Sequence, residues 1–496
     1  MFVEKILCIG NNHEITDKIV HALSVRHKTK NHGLVNNTRE KNFQSGFYHT
    51  SIVDLNLAEI ESIAPAFDKI LVLDIEKKYW NHPDEFYLTK NLADRLETNF
   101  KVEWQNSNSG NHIDYWKNLV SENKSFCIFP FIELWVDNEY TRLCCRSDIP
   151  IEKINNLDWV NSPNLSDVRT KMIKGELLPK HCKQCYDYEK LGMLSARQQE
   201  TVEWANRLKL SSTDDLKLIE KPVYYEIRPS NKCNLMCRTC VPKFSSLIEK
   251  EYINNNWIQE VSQIKRSNFD IVDLNNLKKL YVAGGEPTAM IEFYEFLDTC
   301  IANRNTDFEF VVNSNCAKIS DSLLNKFSHF SNLSFIASVD GYKKVNDYTR
   351  WLSEWNKVIE NINKLRGNHQ ITFNVTVSIY TVSSLYKLLA YLDKNFADCL
   401  VHCGIAIGPN ISPFIFPDSK SILSQVDKMK TLNCVKKDNL LLSFVEGLGQ
   451  RFKTNQIDTT ELKKFFEFND KLDQSRSSRL KDYIPELDKF RLTYQD

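Results

Sequence analysis

Strand and helix patterns alternate between residues 222 and 410, and this alternation constrains the fold more than any other feature of the sequence. Apolar runs typical of buried strands occur at 223–228, 279–283, 308–312, 334–339, 372–379 and 401–407. Helical patterns fill the gaps, for example at 291–302 and 353–365. Strands that alternate with helices form βαβ units, and these build a parallel sheet. Six strands are too few for a closed eight-stranded barrel, so the sequence predicts an α/β fold with an open, partial (β/α)6 TIM-like barrel.

The chain on either side of this barrel divides where its composition changes. The predicted regions are a small α/β domain at 1–115, a cysteine-rich module at 116–205, a linker at 206–221, the barrel at 222–410 and a helical C-terminal region at 411–496. A polar, glycine-containing stretch at 106–111 marks the first boundary. The C-terminal region shows no metal-ligand spacing, so we expect it to cover the barrel.

The N-terminal domain is predicted from strand patterns at 5–9 and 69–73, with a helical pattern at 55–64 between them. Gly10 begins a turn after the first strand, and a helix that follows such a turn can hold an anion at its N-terminus. The segment lacks a G-x-G-x-x-G pattern, so an ordinary turn between strand and helix is the alternative.

Composition and charge exclude several classes of protein. Hydrophobic residues make up 42% of the chain, which argues against a disordered or fibrous protein. Sixty-four basic residues balance 64 acidic ones, so a nucleic-acid partner is disfavoured. The most apolar run, 126–136, is too short to span a membrane. The sequence starts without the pattern of a secretory signal, so we expect a cytoplasmic, reducing environment in which cysteines bind metals more often than they form disulfides.

The distribution of the 14 cysteines is uneven. Eight of them form two groups: Cys127, Cys144, Cys145, Cys182 and Cys185, and then Cys233, Cys237 and Cys240. The other six are scattered and are expected to be small buried side chains: Cys8, Cys300, Cys316, Cys399, Cys403 and Cys434. The second group follows the first barrel strand, at the end of the sheet where barrels carry their active sites.

Three closely spaced cysteines can supply three thiolates to one iron–sulfur cluster and leave one iron open to another ligand. A structural zinc site needs four protein ligands, and no fourth stands nearby. The pattern Cys233-x3-Cys237-x2-Cys240 after a first strand resembles the radical S-adenosylmethionine (SAM) superfamily. This resemblance implies a 4Fe–4S cluster held by the three cysteines, and SAM bound beside it.

The resemblance continues along the barrel. Gly284-Gly285-Glu286-Pro287 is similar to the GGEP motif that binds the SAM amino group, and its glycines would allow close backbone approach to a ligand. The resemblance implies further SAM contacts from Asn315, Ser338, Asp340 and Arg350, the last of these against the SAM carboxylate. One position departs from the family pattern: Thr239 replaces the usual aromatic residue before the last cysteine, which puts the adenine stacking contact in doubt.

The first cysteine group resembles an auxiliary-cluster module of the SPASM/twitch kind, which here precedes the barrel instead of following it. The resemblance rests on the segments at 126–130, 142–145, 175–176, 182–185 and 191–197. It implies an auxiliary 4Fe–4S cluster held by Cys127, Cys182, Cys185 and either Cys144 or Cys145, with the remaining cysteine spare. A zinc ribbon is the alternative.

Together these resemblances imply a radical SAM enzyme, of oxidoreductase or isomerase type. Such an enzyme cleaves SAM reductively to a 5′-deoxyadenosyl radical, which abstracts hydrogen from an unactivated carbon of the substrate. An electron donor such as flavodoxin or ferredoxin is implied. We expect a peptide substrate, because an open barrel admits a large molecule and the N-terminal domain could dock it. The alternatives are a small carbohydrate or cyclitol substrate, an RNA substrate, and a non-catalytic iron–sulfur or zinc scaffold.

Cys316 is the candidate catalytic residue. It follows the third barrel strand, so we expect it near the mouth that faces SAM. A thiol there could return a hydrogen atom to a substrate radical, which would make the reaction an epimerisation. A packed, inert thiol is the alternative.

Overall fold

A computed structural model describes most of the chain from residue 110 onward, together with five earlier strands. The described residues are 5–10, 32–34, 46–51, 69–73, 102–105, 110–137, 140–147, 149–153, 158–190, 195–259, 269–406, 408, 410–454 and 457–491. The predicted helical pattern at 55–64 and the residues that directly follow Gly10 lie outside them. The chain divides into two compact units, Met1–Trp116 with Asn206–Ser211, and Lys117–Ala205 with Ser212–Asp496.

The first unit contains a parallel sheet of five strands. These are β1 (Lys5–Gly10), β2 (His32–Leu34), β3 (Gly46–Ser51), β4 (Lys69–Leu73) and β5 (Val102–Gln105). Their order across the sheet is β2-β3-β1-β4-β5. The predicted strands at 5–9 and 69–73 are β1 and β4, which lie side by side with Cys8 opposite Leu71.

The second unit is built on a nine-stranded sheet. Six of its strands follow one another in parallel and in chain order: β9 (Tyr224–Ile227), β11 (Lys279–Val282), β12 (Glu309–Ser314), β13 (Leu333–Ser338), β15 (Gln370–Val377) and β16 (Leu400–Ile405). These are the six predicted barrel strands, and within the described residues the sheet does not close. The predicted α/β fold with an open, partial barrel is therefore confirmed.

The cysteine-rich segment extends this sheet. Its first strand, β6 (Glu133–Val136), pairs in parallel with β9, so that Trp135 lies opposite Glu226. The strands β7 (Tyr140–Arg142) and β8 (Glu152–Lys153) continue the sheet in antiparallel pairing. The segment and the barrel therefore share one sheet and one compact unit. A further pair outside this sheet joins β10 (Met236–Cys237) to β14 (Arg350–Trp351).

Helices alternate with the strands and then cover the β16 edge. Before the barrel these are α1 (Gly110–Glu122), α2 (Phe129–Ile132), α3 (Pro163–Ile173), α4 (Pro179–Lys190) and α5 (Ala196–Arg207). Those of the barrel are α6 (Ser246–Asn254), α7 (Ile291–Ala302), α8 (Asp321–Phe327), α9 (Lys344–Thr349), α10 (Trp355–Arg366) and α11 (Leu385–Asn395). The C-terminal ones are α12 (Ser419–Met429), α13 (Asn433–Lys437), α14 (Asn439–Thr454), α15 (Thr459–Ser475), α16 (Leu480–Tyr483) and α17 (Pro485–Asp488).

The two faces of the parallel sheet differ in polarity. In β13 and β15 fully buried residues such as Phe335 and Phe373 alternate with half-buried ones such as Ser338 and Thr376. Successive side chains of a strand point to opposite faces, so the apolar set packs under the helices and the polar set forms the other face. The residues Val358, Ile362 and Leu365 of α10 are buried. Their helical spacing gives α10 one apolar side, which matches the apolar face of the sheet. The polar face of the sheet is therefore the face that can form a binding site.

None of the described helices combines the length and the apolar character needed to cross a membrane.

Candidate functional site

The loop that carries Cys233, Cys237 and Cys240 follows β9; we refer to residues 233–240 as the cysteine loop. Two of its residues form β10, which pairs with β14 so that Cys237 lies opposite Arg350. The amide of Arg238 donates to the carbonyl oxygen of Thr349 at 2.7 Å. The Oγ of Ser245, which caps α6, donates to the carbonyl oxygen of Leu235 at 3.0 Å. These bonds fix the loop above the carboxyl ends of the strands.

All three cysteines of this loop line one cavity of about 430 Å³. The cavity is also lined by most residues predicted to bind SAM: Gly284, Gly285, Glu286, Asn315, Ser338, Asp340 and Arg350. Pro287 is buried and is not among the lining residues. Residues from the ends of β11, β12, β13 and β15 thus converge on the three thiols, which is the place where barrels carry their active sites.

The two glycines of this turn adopt left-handed backbone conformations, with φ of +81° at Gly284 and +55° at Gly285. A Cβ atom at Gly284 would lie 2.8 Å from the Cβ of Arg228. At Gly285 it would lie 2.3 Å from the carbonyl oxygen of Lys232, to which the Glu286 amide donates at 2.8 Å. The glycines therefore allow close contact with β9 and with the chain that enters the cysteine loop, in addition to their place in the cavity wall.

Glu286 joins this turn to the end of β12. Its Oε1 accepts from the Thr288 and Ser314 hydroxyls at 2.7 and 2.8 Å, and its Oε2 accepts from the Asn315 amide at 2.7 Å. The side chain is buried, and burial raises the pKa of this carboxyl although the hydrogen bonds oppose the rise. Four donors, including the Thr288 amide, occupy the carboxylate. Glu286 therefore shapes the cavity wall.

Polar side chains on three neighbouring strands form a hydrogen-bonded row along the cavity side of the sheet. The Asn313 amide group donates to Tyr281 Oη at 3.1 Å and accepts from Ser338 Oγ at 3.0 Å. Asn315 donates to Asn234 Oδ1 at 2.8 Å and so links the end of β12 to the cysteine loop. Asn313 lines the cavity, as does Thr376 of β15, and sequence reasoning missed both. Their alternation within predicted strands is the signal that could have found them.

Arg350 is the cationic side chain of the cavity wall. Its Nη1 donates to Asp340 Oδ2 at 2.9 Å, and the other carboxylate oxygen of Asp340 accepts from the Thr376 amide at 2.9 Å. The Nε of Arg350 is buried and has no hydrogen-bond partner among the described residues. A buried donor without a partner is costly, and Arg350 itself lines the cavity. A carboxylate is the acceptor that pairs best with a guanidinium group.

The thiols of the loop have raised pKa values. Burial, with a smaller contribution from the neighbouring Cys237, raises the pKa of Cys233 and of Cys240 to about 12. Burial raises the pKa of Cys237, while Arg350 and Arg476 oppose the rise.

Among the described residues, no three His, Cys, Asp or Glu side chains are arranged as ligands of a single metal ion. The donor set, three thiols around one cavity, is of the kind that an iron–sulfur cluster uses.

The cavity also contains the departure from the family pattern. Thr239 lies in its wall, and so does Phe244, whose side chain is 42% exposed. An aromatic ring is therefore present in the cavity four residues beyond Cys240, although none occupies position 239. The sequence-based prediction did not include Phe244.

Cys316 does not line the cavity. Its side chain is fully buried, and burial raises the pKa of its thiol to about 12. The residue has φ of +54°, its amide donates to Ser314 Oγ at 3.0 Å, and its carbonyl accepts from Asn361 at 2.9 Å. A hydrogen donor must reach the substrate, so this position favours the inert, packed thiol over the donor role.

The first cysteine group lines a second, smaller cavity. Four of its thiols lie there: Cys127, Cys144, Cys182 and Cys185. Cys145 is exposed and is not among the lining residues. Burial raises the pKa of Cys182 to about 11, and it raises the pKa values of Cys127 and Cys144 well above the ordinary range.

Buried polar contacts hold the elements around this second cavity. Arg197, which lines it, pairs with Glu189 at 2.8 Å and donates to the carbonyl oxygen of Phe126 at 2.8 Å. His181 also lines the cavity, with its Nδ1 3.2 Å from Ser147 Oγ. Sequence reasoning missed His181, although it lies directly before Cys182. Residues 191–194 of the predicted module lie outside the described residues.

Comparison with known proteins finds a family model that matches about a third of this chain. Residues 227–386, from the end of β9 into α11, match the Radical SAM superfamily. No curated protein matches the chain.

The solved structures that resemble this chain have low sequence identities to it and low TM-scores. SuiB of Streptococcus suis is 16% identical with a TM-score of 0.29, over 56% of this chain and 64% of that chain. SuiB bound to the precursor peptide SuiA is 13% identical with a TM-score of 0.27, over 65% and 64%. TsrM of Kitasatospora setae, a radical SAM methyltransferase with bound cobalamin and a 4Fe–4S cluster, is 9% identical with a TM-score of 0.28, over 82% and 76%. The chain thus spans less than two thirds of the length of SuiB.

Proposed function

We propose, from the premise that residues 227–386 form a radical SAM domain, that this chain is an enzyme that cleaves SAM reductively at the cysteine loop. One observation carries the proposal. Cys233, Cys237 and Cys240 line the same cavity as the glycine turn and Arg350. Three thiolates would leave one iron of a bound 4Fe–4S cluster open to a further ligand, and the cavity beside the three cysteines offers space for it.

The chain's own residues would hold the cofactors as follows. Three thiolates would bind the cluster, and the guanidinium of Arg350, which lines the cavity, would bind the SAM carboxylate. Backbone carbonyls of the glycine turn accept from the SAM ammonium group, and Ser338 and Asn313 offer polar atoms to the ribose. When bound, the cluster and SAM supply one-electron chemistry that yields a 5′-deoxyadenosyl radical, which abstracts hydrogen from the substrate.

Phe244 is the residue that we assign to stacking on the adenine of SAM. The cavity wall includes the charged residues Arg350 and Asp340 and the apolar residues Leu235, Val241 and Phe244. An aromatic ring stabilises a nucleobase by stacking, which is worth about 1–3 kcal/mol per base. Phe244 would thus supply the contact that Thr239 cannot make.

The second cavity supports an auxiliary cluster. Cys127, Cys144, Cys182 and Cys185 line it together, which is the ligand number of a fully protein-bound 4Fe–4S cluster. Cys145 would be the spare cysteine. A zinc ribbon uses the same ligand number, so metal analysis decides between the two.

The open sheet supports a large substrate. The polar face of the sheet carries half-buried or exposed residues as far as the last strand, where His402 is exposed. A neutral, hydrogen-bonding surface of this kind suits the amide groups of a peptide. We therefore propose peptide modification, with an electron donor such as flavodoxin or ferredoxin.

The test is anaerobic reconstitution with iron and sulfide, followed by incubation with SAM and a strong reductant. The proposal predicts 5′-deoxyadenosine and methionine in the products. Protein that binds iron but forms no 5′-deoxyadenosine would instead be a scaffold. Mass spectrometry of candidate peptides incubated with active enzyme then tests the substrate class.

A further inference from the structure

The C-terminal region contacts the cysteine loop on both sides of Cys237. Two buried guanidinium groups make these contacts, Arg238 of the loop and Arg476 just after α15, with side chains that are 0% and 2% exposed. Loop and C-terminal region belong to the same compact unit. A helical cover over a barrel does not require charged groups at such depth, since buried charges are costly unless they are paired.

Arg238 extends from the loop into a polar cluster on α15. Its Nη2 lies 2.7 Å from Asp473 Oδ1 and donates to Ser478 Oγ at 2.8 Å, and its Nη1 donates to Asn469 Oδ1 at 3.1 Å. The guanidinium lies 3.6 Å from the ring centre of Tyr348, whose hydroxyl donates to Asp473 at 2.8 Å. The side chain of Arg238 is therefore held by an ion pair, by hydrogen bonds and by a cation–π contact with Tyr348.

Arg476 contacts the residue on the other side of Cys237. It pairs with both carboxylate oxygens of Glu251 on α6, at 2.9 and 2.6 Å. Its Nη1 donates to the carbonyl oxygen of Met236 at 2.9 Å. One guanidinium thus joins three segments, namely the residue before Cys237, the helix that follows the loop and the end of α15.

We propose that Arg238 and Arg476 are positioning residues, through which the C-terminal region holds the cysteine loop in its ligand-binding conformation before the cluster is present. Loops with few packed contacts open readily, and a loop that must collect three thiols around one cluster gains from being ordered beforehand. The nature of the bound group rests on the proposed function, but the ordering of the loop does not. Arg476 also places a positive charge near Cys237, where thiolate ligands would gather negative charge.

The experiment compares Arg476→Gln with Arg476→Lys and with a matched control, Arg491→Gln, in the full chain without cluster. Arg491 also pairs with α15, through Asp470, and lies over the ring of Phe466. Hydrogen exchange of the amides of residues 233–240 is the readout. The proposal predicts exchange at least about tenfold faster in Arg476→Gln, a smaller increase in Arg476→Lys and no change at the loop in Arg491→Gln.

A second readout uses reconstituted protein. The cluster absorbance should decay several-fold faster in Arg476→Gln than in Arg491→Gln when a chelator is added, because an unordered loop releases iron more readily. Wild-type exchange at 233–240 in Arg476→Gln would overturn the proposal. A rise spread evenly over the chain in both Arg476→Gln and the milder Asp473→Asn would also overturn it, since that pattern means general loss of stability. Failure of the wild type to bind iron would contradict the proposed function and leave the exchange result interpretable.

Discussion

Gly285 lies against the carbonyl oxygen of Lys232, so close that a Cβ atom at position 285 would be 2.3 Å from it. The glycine turn and the chain leading into the cysteine loop therefore meet backbone to backbone. A substitution in the turn must disturb the loop as well as any ligand. A turn that only binds SAM would affect SAM affinity alone when it is substituted. This contact predicts that a substitution in the turn affects the cysteine loop as well.

Gly285→Ala should therefore lower both iron retention and SAM affinity. The added methyl group meets a backbone atom that cannot rotate away, and alanine is strained at φ of +55°, so the second unit should lose about 2 kcal/mol or more. Gly404→Ala is the control, because a Cβ there meets nothing within 4 Å. Thermal unfolding and iron content measure the effect. Iron content equal to wild type with only SAM binding reduced would show that the turn moves independently of the loop.

The order of the parallel strands could be predicted from the sequence because each strand is a continuous apolar run with a helix after it. Buried parallel strands give such runs, and right-handed crossovers leave little choice of topology. The extension of the sheet by β6 could not be predicted. The apolar run that contains β6, residues 126–136, is equally consistent with a separate module, and only the pairing of β6 with β9 distinguishes the two.

Arg350→Gln should weaken SAM binding by about 10- to 100-fold, the size expected for a hydrogen bond to a charged group. Iron content should stay near wild type, because β14 pairs with the cysteine loop through backbone atoms that the substitution retains. Equilibrium binding of SAM to reconstituted protein is the measurement. Loss of iron together with SAM affinity would mean that the side chain supports the loop and does not bind the ligand.

Glu286 should make stability depend on pH in a defined direction. Burial raises its pKa in the folded protein above the ordinary value of 4.5, so the folded state binds the proton more tightly than the unfolded state does. Its contribution is then largest below pH 4.5 and is lost as the pH rises through the folded pKa. The difference in unfolding free energy between wild type and Glu286→Gln should grow as the pH falls from 7 towards 4.5. A difference that shrinks over this range would show that the four donors outweigh burial.

Cys144→Ser should remove the auxiliary metal centre, and Cys145→Ser should not. Cys144 lines the second cavity with three other cysteines, whereas Cys145 lies outside its wall. Iron and zinc analysis of anaerobically purified protein, with the absorption spectrum of the remaining cluster, is the measurement. The reverse pattern would exchange the two assignments, and stoichiometric zinc at the site would establish the ribbon.

The features of the site that the sequence leaves undetermined share one physical cause, which is that they depend on turns and on contacts between distant parts of the chain. Spacing along a strand shows which positions share a face, but the choice between Cys144 and Cys145 depends on a turn whose geometry adjacent residues do not specify. Cys316 is similar: its left-handed φ turns the chain at the end of β12, and its side chain is fully buried. Contacts such as Arg238 with Asp473 join positions 235 residues apart, so no local pattern reports them.

The most direct test of the central claim is SAM cleavage by protein in which Cys233, Cys237 and Cys240 are all replaced by Ala. Wild type and variant are reconstituted anaerobically and incubated with SAM and reductant, and 5′-deoxyadenosine is quantified. The account predicts product from the wild type, none from the variant, and loss of about half of the iron, because it assigns a second four-iron centre to the other cysteine group. Formation of 5′-deoxyadenosine by the triple variant at the wild-type rate would contradict it.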